Sequence, residues 1–152
     1  MTDSPRVVVT RSFTFSAERV FDAWLDPMMI GRFMFGPNLR EETVLHLKLD
    51  AQVGGSFSFK VRRGDQDIHH VGTYREIGRP RRLVFTWGIA GESVDESVVT
   101  IDIVPRKDGC ELMLTHELQP QWADYAPRVA QGWTAMLTAL ADVLPVDAAT
   151  RS

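Results

Sequence analysis

Four histidines are the residues of this sequence that most readily suggest chemistry: His46, His69, His70 and His116. Three converging imidazoles could hold a zinc ion. His69 and His70 are neighbours in a segment with strand character, and successive side chains of a strand point to opposite faces, so these two cannot serve one site. His46 is predicted to point outward. The sequence therefore predicts no metal site.

His70 and His116 are a second pairing with chemical potential, because both are predicted to face the interior. His70 shares its parity with Tyr74, and His116 shares its parity with Leu112 and Leu114. Two facing imidazoles could transfer a proton. Two histidines that each have their own hydrogen-bond partners would be structural, and this is the favoured interpretation.

The sequence offers no activated nucleophile. No serine lies in a G-x-S-x-G elbow, and Cys110 follows a turn glycine with no evident base. Gly54-Gly55 is not a phosphate loop, because no helix follows it. The acidic residues are scattered and form no acid–base pair. We therefore predict no catalytic residue and no cofactor.

Composition excludes several classes of protein. The 152 residues fit one domain, and a net charge of −3 argues against a nucleic-acid partner, because phosphate neutralisation requires a basic face. No apolar run reaches the length of a membrane helix, so no membrane association is predicted. The single cysteine and the absence of an apolar signal core in the first nine residues predict a cytoplasmic protein.

A strand and two short helices are predicted to open the domain. Val7, Val9, Phe13 and Phe15 share one face of a predicted strand, with Arg11 as the polar exception on that face. Ser16 is predicted to cap a first helix, and Asp26 followed by Pro27 is predicted to start a second.

From about residue 43 the apolar pattern has a period of two, which predicts antiparallel strands. Leu45, Leu47 and Leu49 are predicted to share the inner face of one strand. Similar alternation places Phe57 and Phe59 on the inner face of the next strand. Tyr74, Leu83, Phe85 and Trp87 are predicted to be inner residues of the hairpin that follows.

The last predicted element is a long helix over residues 127–144, which is expected to end at Pro145. Its broad apolar stripe includes Trp133, Leu137 and Leu140. Hairpins need an apolar partner on one face, so the helix is predicted to pack across the concave side of the sheet. Residues 146–152 are predicted to form a flexible tail.

Five segments in this order resemble the bacterial homologues of the heat-shock protein 90 ATPase activator. They read FTFSAERVFDAWLDP, LDAQVGGSFSF, GTYREIGRPRRLVFTW, VTIDI with GCELMLTHE, and QGWTAMLTALADVL. The resemblance covers about residues 6–145 and points to the START-like, or SRPBCC, superfamily. It implies an α+β domain with the helix-grip, or birch-pollen-allergen-like, fold. In that fold a curved antiparallel sheet of six or seven strands surrounds a long C-terminal helix, and two short helices follow the first strand.

The resemblance also implies a cavity between sheet and helix that could hold an apolar ligand. Tyr74 and His116 are predicted to supply its polar specificity. The alternative is that the side chains meet and fill the space. The predicted ligand-binding residues are Phe33, Met34, Phe57, Phe59, Tyr74, Trp87, His116, Trp133 and Met136.

The function expected from this resemblance is non-catalytic carriage or sensing of a small hydrophobic molecule by a monomer or homodimer. One alternative is an enzyme that shapes an aromatic or polyketide-like substrate, as a cyclase or dehydratase does. The least favoured alternative is a chaperone-associated protein of the stress response. A likeness of fold cannot choose among these functions.

Overall fold

The computed structural model describes residues 5–35, 42–90, 97–118 and 120–151. The first strand, β1 (Arg6–Phe13), is followed by two short helices, α1 (Ala17–Ala23) and α2 (Pro27–Phe33). A short 3-10 helix (Pro120–Tyr125) and the long helix α3 (Ala126–Arg151) end the chain. The six strands between them are β2 (Thr43–Leu49), β3 (Ser56–Arg63), β4 (Gln66–Gly78), β5 (Arg82–Ile89), β6 (Ser97–Arg106) and β7 (Gly109–Glu117).

All seven strands belong to one antiparallel sheet in the order β1-β7-β6-β5-β4-β3-β2. The sheet curves, and α3 packs against β1 and α2. Trp133, Leu137 and Leu140 are buried in the core, as predicted. No described helix has both the length and the hydropathy needed to cross a membrane.

Both short helices begin at the predicted caps. The Ser16 hydroxyl accepts a hydrogen bond from the Arg19 backbone N–H at 3.2 Å. The Asp26 carboxylate accepts one from the Met28 backbone N–H at 3.0 Å, with Pro27 as the first helical residue. These bonds satisfy backbone donors that have no partner within a helix.

Strand β2 differs from the prediction in its first half. A register shift between Val44 and His46 places Val44 against the core and leaves Leu45 38% exposed, so the predicted inner position of Leu45 is wrong. Leu47 and Leu49 do pack against the core. Beyond a bulge the side chains change face, which strict alternation along one strand cannot reveal.

Helix α3 does not end at Pro145, as predicted, but continues to Arg151. A proline inside a helix removes one backbone N–H and crowds the preceding turn, yet the helix can continue on either side of it. Ser152 and the side chains from residue 145 onward lie outside the described part. The predicted flexibility of residues 146–152 therefore stays a prediction.

Candidate ligand cavity

A small cavity lies between the inner face of the sheet and the ends of the two short helices. Trp24 and Met34 come from the C-terminal caps of α1 and α2, and the other lining residues come from β3, β4 and β5. We call these side chains the aromatic wall: Trp24, Met34, Phe57, Phe59, Tyr74, Phe85 and Trp87. The cavity volume is about 10 Å³, about the space that one water molecule needs.

Phe57 is the centre of the aromatic wall. Its ring stacks on Phe59 with centroids 4.6 Å apart and meets Phe85 edge-on at 5.8 Å. It also contacts Tyr74 at 5.5 Å and Trp87 at 5.8 Å. Offset and edge-on contacts are the favourable geometries for aromatic pairs. The period-two pattern of β3 thus produces a continuous aromatic surface.

Gly72 makes room for this arrangement. It pairs with Phe57 across β3 and β4. A Cβ atom at this position would clash with the Phe57 ring and with the Thr86 carbonyl oxygen. Any larger residue would displace the ring or the backbone of β5, so glycine is required here by close packing.

Tyr74 is held by its backbone as well as by its ring. The Gly54 N–H donates to the Tyr74 carbonyl at 2.8 Å, and the Tyr74 N–H donates to the Gly55 carbonyl at 2.9 Å. Gly54 has φ +88°, a conformation that favours glycine. Burial raises the pKa of the Tyr74 phenol well above its usual value, so its hydroxyl stays neutral at physiological pH.

His116 does not line the cavity but belongs to a hydrogen-bond chain that reaches the backbone of Trp87. The Trp133 indole N–H donates to His116 Nδ1 at 2.9 Å. Because an indole can only donate, His116 carries its proton on Nε2, which donates to the Ser97 hydroxyl at 2.6 Å. Ser97 in turn donates to the Trp87 carbonyl at 2.9 Å. We call these four groups the His116 network.

The His116 network has a structural character. Burial lowers the pKa of His116 to about 4, so the ring is neutral at physiological pH. Both of its nitrogens are engaged by Trp133 and Ser97, which leaves neither for a proton exchange with His70. This confirms the favoured interpretation of His116. His70 instead packs against the rings of Phe35 and Trp87, with centroids 5.0 Å from each.

Trp24 contrasts with Trp133. Its side chain is only 3% exposed, and its indole N–H has no hydrogen-bond partner among the described residues. The ring meets Phe33 edge-on at 5.0 Å and Trp133 at 6.2 Å. A buried donor without a partner is unfavourable by about 1–3 kcal/mol, so this atom requires an explanation.

An ion pair fixes α1, whose C-terminal cap is Trp24, to the turn after β4. Arg79 donates two hydrogen bonds to the Asp22 carboxylate, at 2.7 and 2.9 Å. The pair is about half exposed, so its contribution to stability is small, although its two hydrogen bonds link α1 to this turn.

Five of the nine predicted ligand-binding residues line the cavity: Met34, Phe57, Phe59, Tyr74 and Trp87. The other four do not belong to its lining: Phe33, His116, Trp133 and Met136. Phe33 and Trp133 contact the ring of Trp24, and Trp133 also contacts Trp87 at 5.7 Å between centroids. Met136 lies partly buried on α3. The helical residues in the described lining come from the ends of the short helices, whereas the prediction placed residues of α3 in the wall.

Two lining residues were not among the predicted ligand-binding set. Phe85 shares the inner face of β5 with Trp87, and this parity was the signal that could have included it. The sequence does not reveal that Trp24 lines the cavity, because the apolar pattern of a helix does not distinguish a cavity-lining residue from any other buried residue. Only the packing of α1 against the sheet brings it to the cavity.

The outer face of the sheet carries a separate polar cluster. The Ser58 hydroxyl lies 2.9 Å from His46 Nε2 and 2.5 Å from His69 Nε2. His46 and His69 therefore share one face, while His70 packs on the inner side, as the alternation predicts. The described residues contain no group of three or more potential metal ligands among His, Cys, Asp and Glu.

The seven-stranded curved sheet, its long C-terminal helix and the two short helices together define the helix-grip fold of START-like proteins, as predicted. The model of one family, described as activator of Hsp90 ATPase homolog 1-like protein, matches residues 14–145. The chain belongs to this family.

Solved structures of bacterial proteins share the fold. A protein from Chromobacterium violaceum is 25% identical, with a TM-score of 0.79 over 91% of this chain and 96% of its own. A protein from Nitrosomonas europaea is 14% identical, with a TM-score of 0.82 over 98% of this chain and 99% of its own. An AHSA1-like protein from Aeromonas hydrophila is 19% identical, with a TM-score of 0.77 over 94% of each chain. No curated protein sequence is similar enough to this chain to count as a match.

Proposed function

We propose that this protein binds a small hydrophobic molecule at the aromatic wall and acts as a non-catalytic carrier or sensor. The observation that supports this proposal best is the chemistry of the cavity. Its described lining consists of six aromatic rings and one thioether, and none of these side chains is charged. Apolar pockets with a few polar groups are the usual sites for small ligands.

Ligand entry must widen the cavity, because its 10 Å³ cannot accept a molecule larger than water. Met34 is the most adaptable side chain of the wall, since methionine has several rotatable bonds and a polarisable sulfur. If only a fraction of the molecules has the widened cavity, the apparent affinity equals the affinity of the widened state multiplied by that fraction. We therefore expect moderate affinity and tolerance of several ligand shapes.

A matched pair of variants tests the location of binding. Phe59 lines the cavity, whereas Phe13 is buried to a similar degree elsewhere in the core. We expect Phe59→Leu to enlarge the cavity and tighten the binding of the apolar dye N-phenyl-1-naphthylamine. Phe13→Leu removes the same atoms at a distant position and should leave dye affinity unchanged. Dye titrations monitored by fluorescence measure both affinities.

Three results are possible in this experiment. Saturable one-to-one binding that only Phe59→Leu tightens supports the proposal. Equal effects of both variants would show that the dye reports general loosening of the core. No saturable binding by any of the three proteins would overturn the proposal. Native mass spectrometry of untagged protein would additionally detect a small molecule that co-purifies.

The remaining alternatives have no comparable support. No residue of the described lining singles out a cyclase or dehydratase over a carrier. Family membership alone does not carry a chaperone-associated function to this chain.

A further inference from the structure

We infer that Trp24 determines ligand specificity: the molecule bound at the aromatic wall carries a hydrogen-bond acceptor that receives the Trp24 indole N–H. This inference rests on the proposed function and specifies the ligand class further. Its basis is the coincidence of two properties in one residue. Trp24 lines the cavity, and its N–H is buried without a partner among the described residues.

The neighbouring tryptophan, Trp133, differs from Trp24 because its indole N–H has a hydrogen-bond partner. Trp133 lies 6.2 Å from Trp24 between ring centroids, and its N–H donates to His116 at 2.9 Å. The fold therefore provides an acceptor for a buried indole a few ångströms away, but that acceptor is already occupied. Buried donors in native proteins are normally paired, and Trp24 is one of the residues that line the cavity.

The wall also restricts the charge of the ligand. None of the described lining residues is charged, and the Tyr74 hydroxyl is neutral because burial raises its pKa. A carboxylate or ammonium group would lose its hydration without meeting an opposite charge. The ligand class is thus a neutral, largely apolar molecule with an oxygen acceptor, such as an aryl ketone or a cyclic enone.

A pair of probes isolates the acceptor. 1-Indanone and indane have the same bicyclic skeleton, but only indanone has a carbonyl oxygen. Their affinities are measured by displacement of N-phenyl-1-naphthylamine from the wild type, Trp24→Phe and Trp122→Phe. Trp122 is 38% exposed on the 3-10 helix and serves as the matched control. The quantity compared is the preference for indanone over indane within each protein, which cancels general changes in the cavity.

We expect Trp24→Phe to lower the preference for indanone by about 2- to 10-fold, the value of one net hydrogen bond. Trp122→Phe should leave the preference unchanged. A second measurement uses the wild type alone. In its ¹H–¹⁵N spectrum, the resonance of the Trp24 indole proton should move downfield when indanone binds and should not move downfield when indane binds.

The outcomes separate the two proposals. Suppose that both probes bind, that Trp24→Phe leaves the preference for indanone unchanged, and that the Trp24 resonance shifts equally with indanone and with indane. The inference about Trp24 is then wrong, while the cavity function stands. If the dye binds saturably but neither probe displaces it, the inference about Trp24 is wrong and the cavity function stands. If the dye itself does not bind, both proposals fail. Should Trp24→Phe fail to fold, the wild-type spectrum still decides, because indanone must shift the Trp24 signal.

Discussion

Two buried tryptophans lie side by side in this protein and have opposite environments. Trp133, on α3, donates its N–H into the His116 network, which ends at the Trp87 carbonyl. Trp24, at the end of α1, has no such partner within the described residues and is one of the residues that line the cavity. The polar groups of the His116 network bind one another and so stabilise the fold, whereas we propose that the Trp24 N–H binds a ligand.

The largest expected effect lies on the structural side of this comparison. Trp133→Ala removes a buried aromatic ring and leaves His116 Nδ1 without its donor. We expect a loss of about 3–5 kcal/mol in the free energy of unfolding, measured by urea denaturation. Trp122→Ala, at an exposed tryptophan, is the control and should change stability little. A loss below about 1 kcal/mol for Trp133→Ala would contradict its role in the core.

The same conservative substitution at both positions sharpens the comparison. Trp133→Phe leaves His116 Nδ1 unsatisfied, whereas Trp24→Phe removes a donor that already has no described partner. Both changes shorten the ring similarly. We therefore expect Trp133→Phe to be less stable than Trp24→Phe by about 1–3 kcal/mol in urea denaturation. Equal stabilities would show that the Trp133 hydrogen bond contributes nothing net.

The His116 network should also make stability depend on pH. Burial lowers the pKa of His116 to about 4, below its ordinary value of 6.5, so between these values the unfolded state binds more protons. The contribution of neutral His116 to the free energy of unfolding is fully present above about pH 6.5 and is lost as the pH falls toward 4. We expect a loss of about 1 kcal/mol between about pH 7.5 and about pH 5.5.

Urea denaturation at several pH values measures this loss, and His116→Gln is the matched variant. The variant has a different absolute stability, but its slope with pH should be smaller in this range. A slope identical to that of the wild type would show that His116 does not titrate as its burial requires.

The smallest effect is expected where α3 was predicted to line the cavity. Met136 is partly buried but does not belong to the lining, so Met136→Phe should change the affinity for N-phenyl-1-naphthylamine by less than about twofold, or about 0.4 kcal/mol. A tenfold loss in the dye titration would place α3 within the binding site. It would also remove the distinction between the two regions.

Local sequence patterns determine much of this fold. Ser16 and Asp26 start helices through bonds to residues two or three positions away, and Phe57 and Phe59 face inward by simple alternation. These features depend on neighbours in the chain. The sequence therefore predicted the element order and most of the wall.

The sequence predicts less well where contacts between distant segments of the chain determine the position of a side chain. The bulge at Val44 depends on pairing with β3, and it reverses the face of Leu45. Trp24 and Trp133 both occupy apolar positions of helices, and their different environments follow only from the contacts made by α1 and by His116. The prediction that His116 binds the ligand rests on its inward parity, which does not reveal that both ring nitrogens already have hydrogen-bond partners.

The measurement that tests the central proposal most directly is the location of a bound dye by nuclear Overhauser effects. In a complex of the wild type with N-phenyl-1-naphthylamine, we expect contacts from the dye to ring protons of Phe57, Phe59 and Trp87. The exposed pair of Trp122 and Tyr125, with centroids 5.3 Å apart, is the competing aromatic surface. Contacts only to that pair, with none to the aromatic wall, would contradict the proposal that this cavity is the binding site.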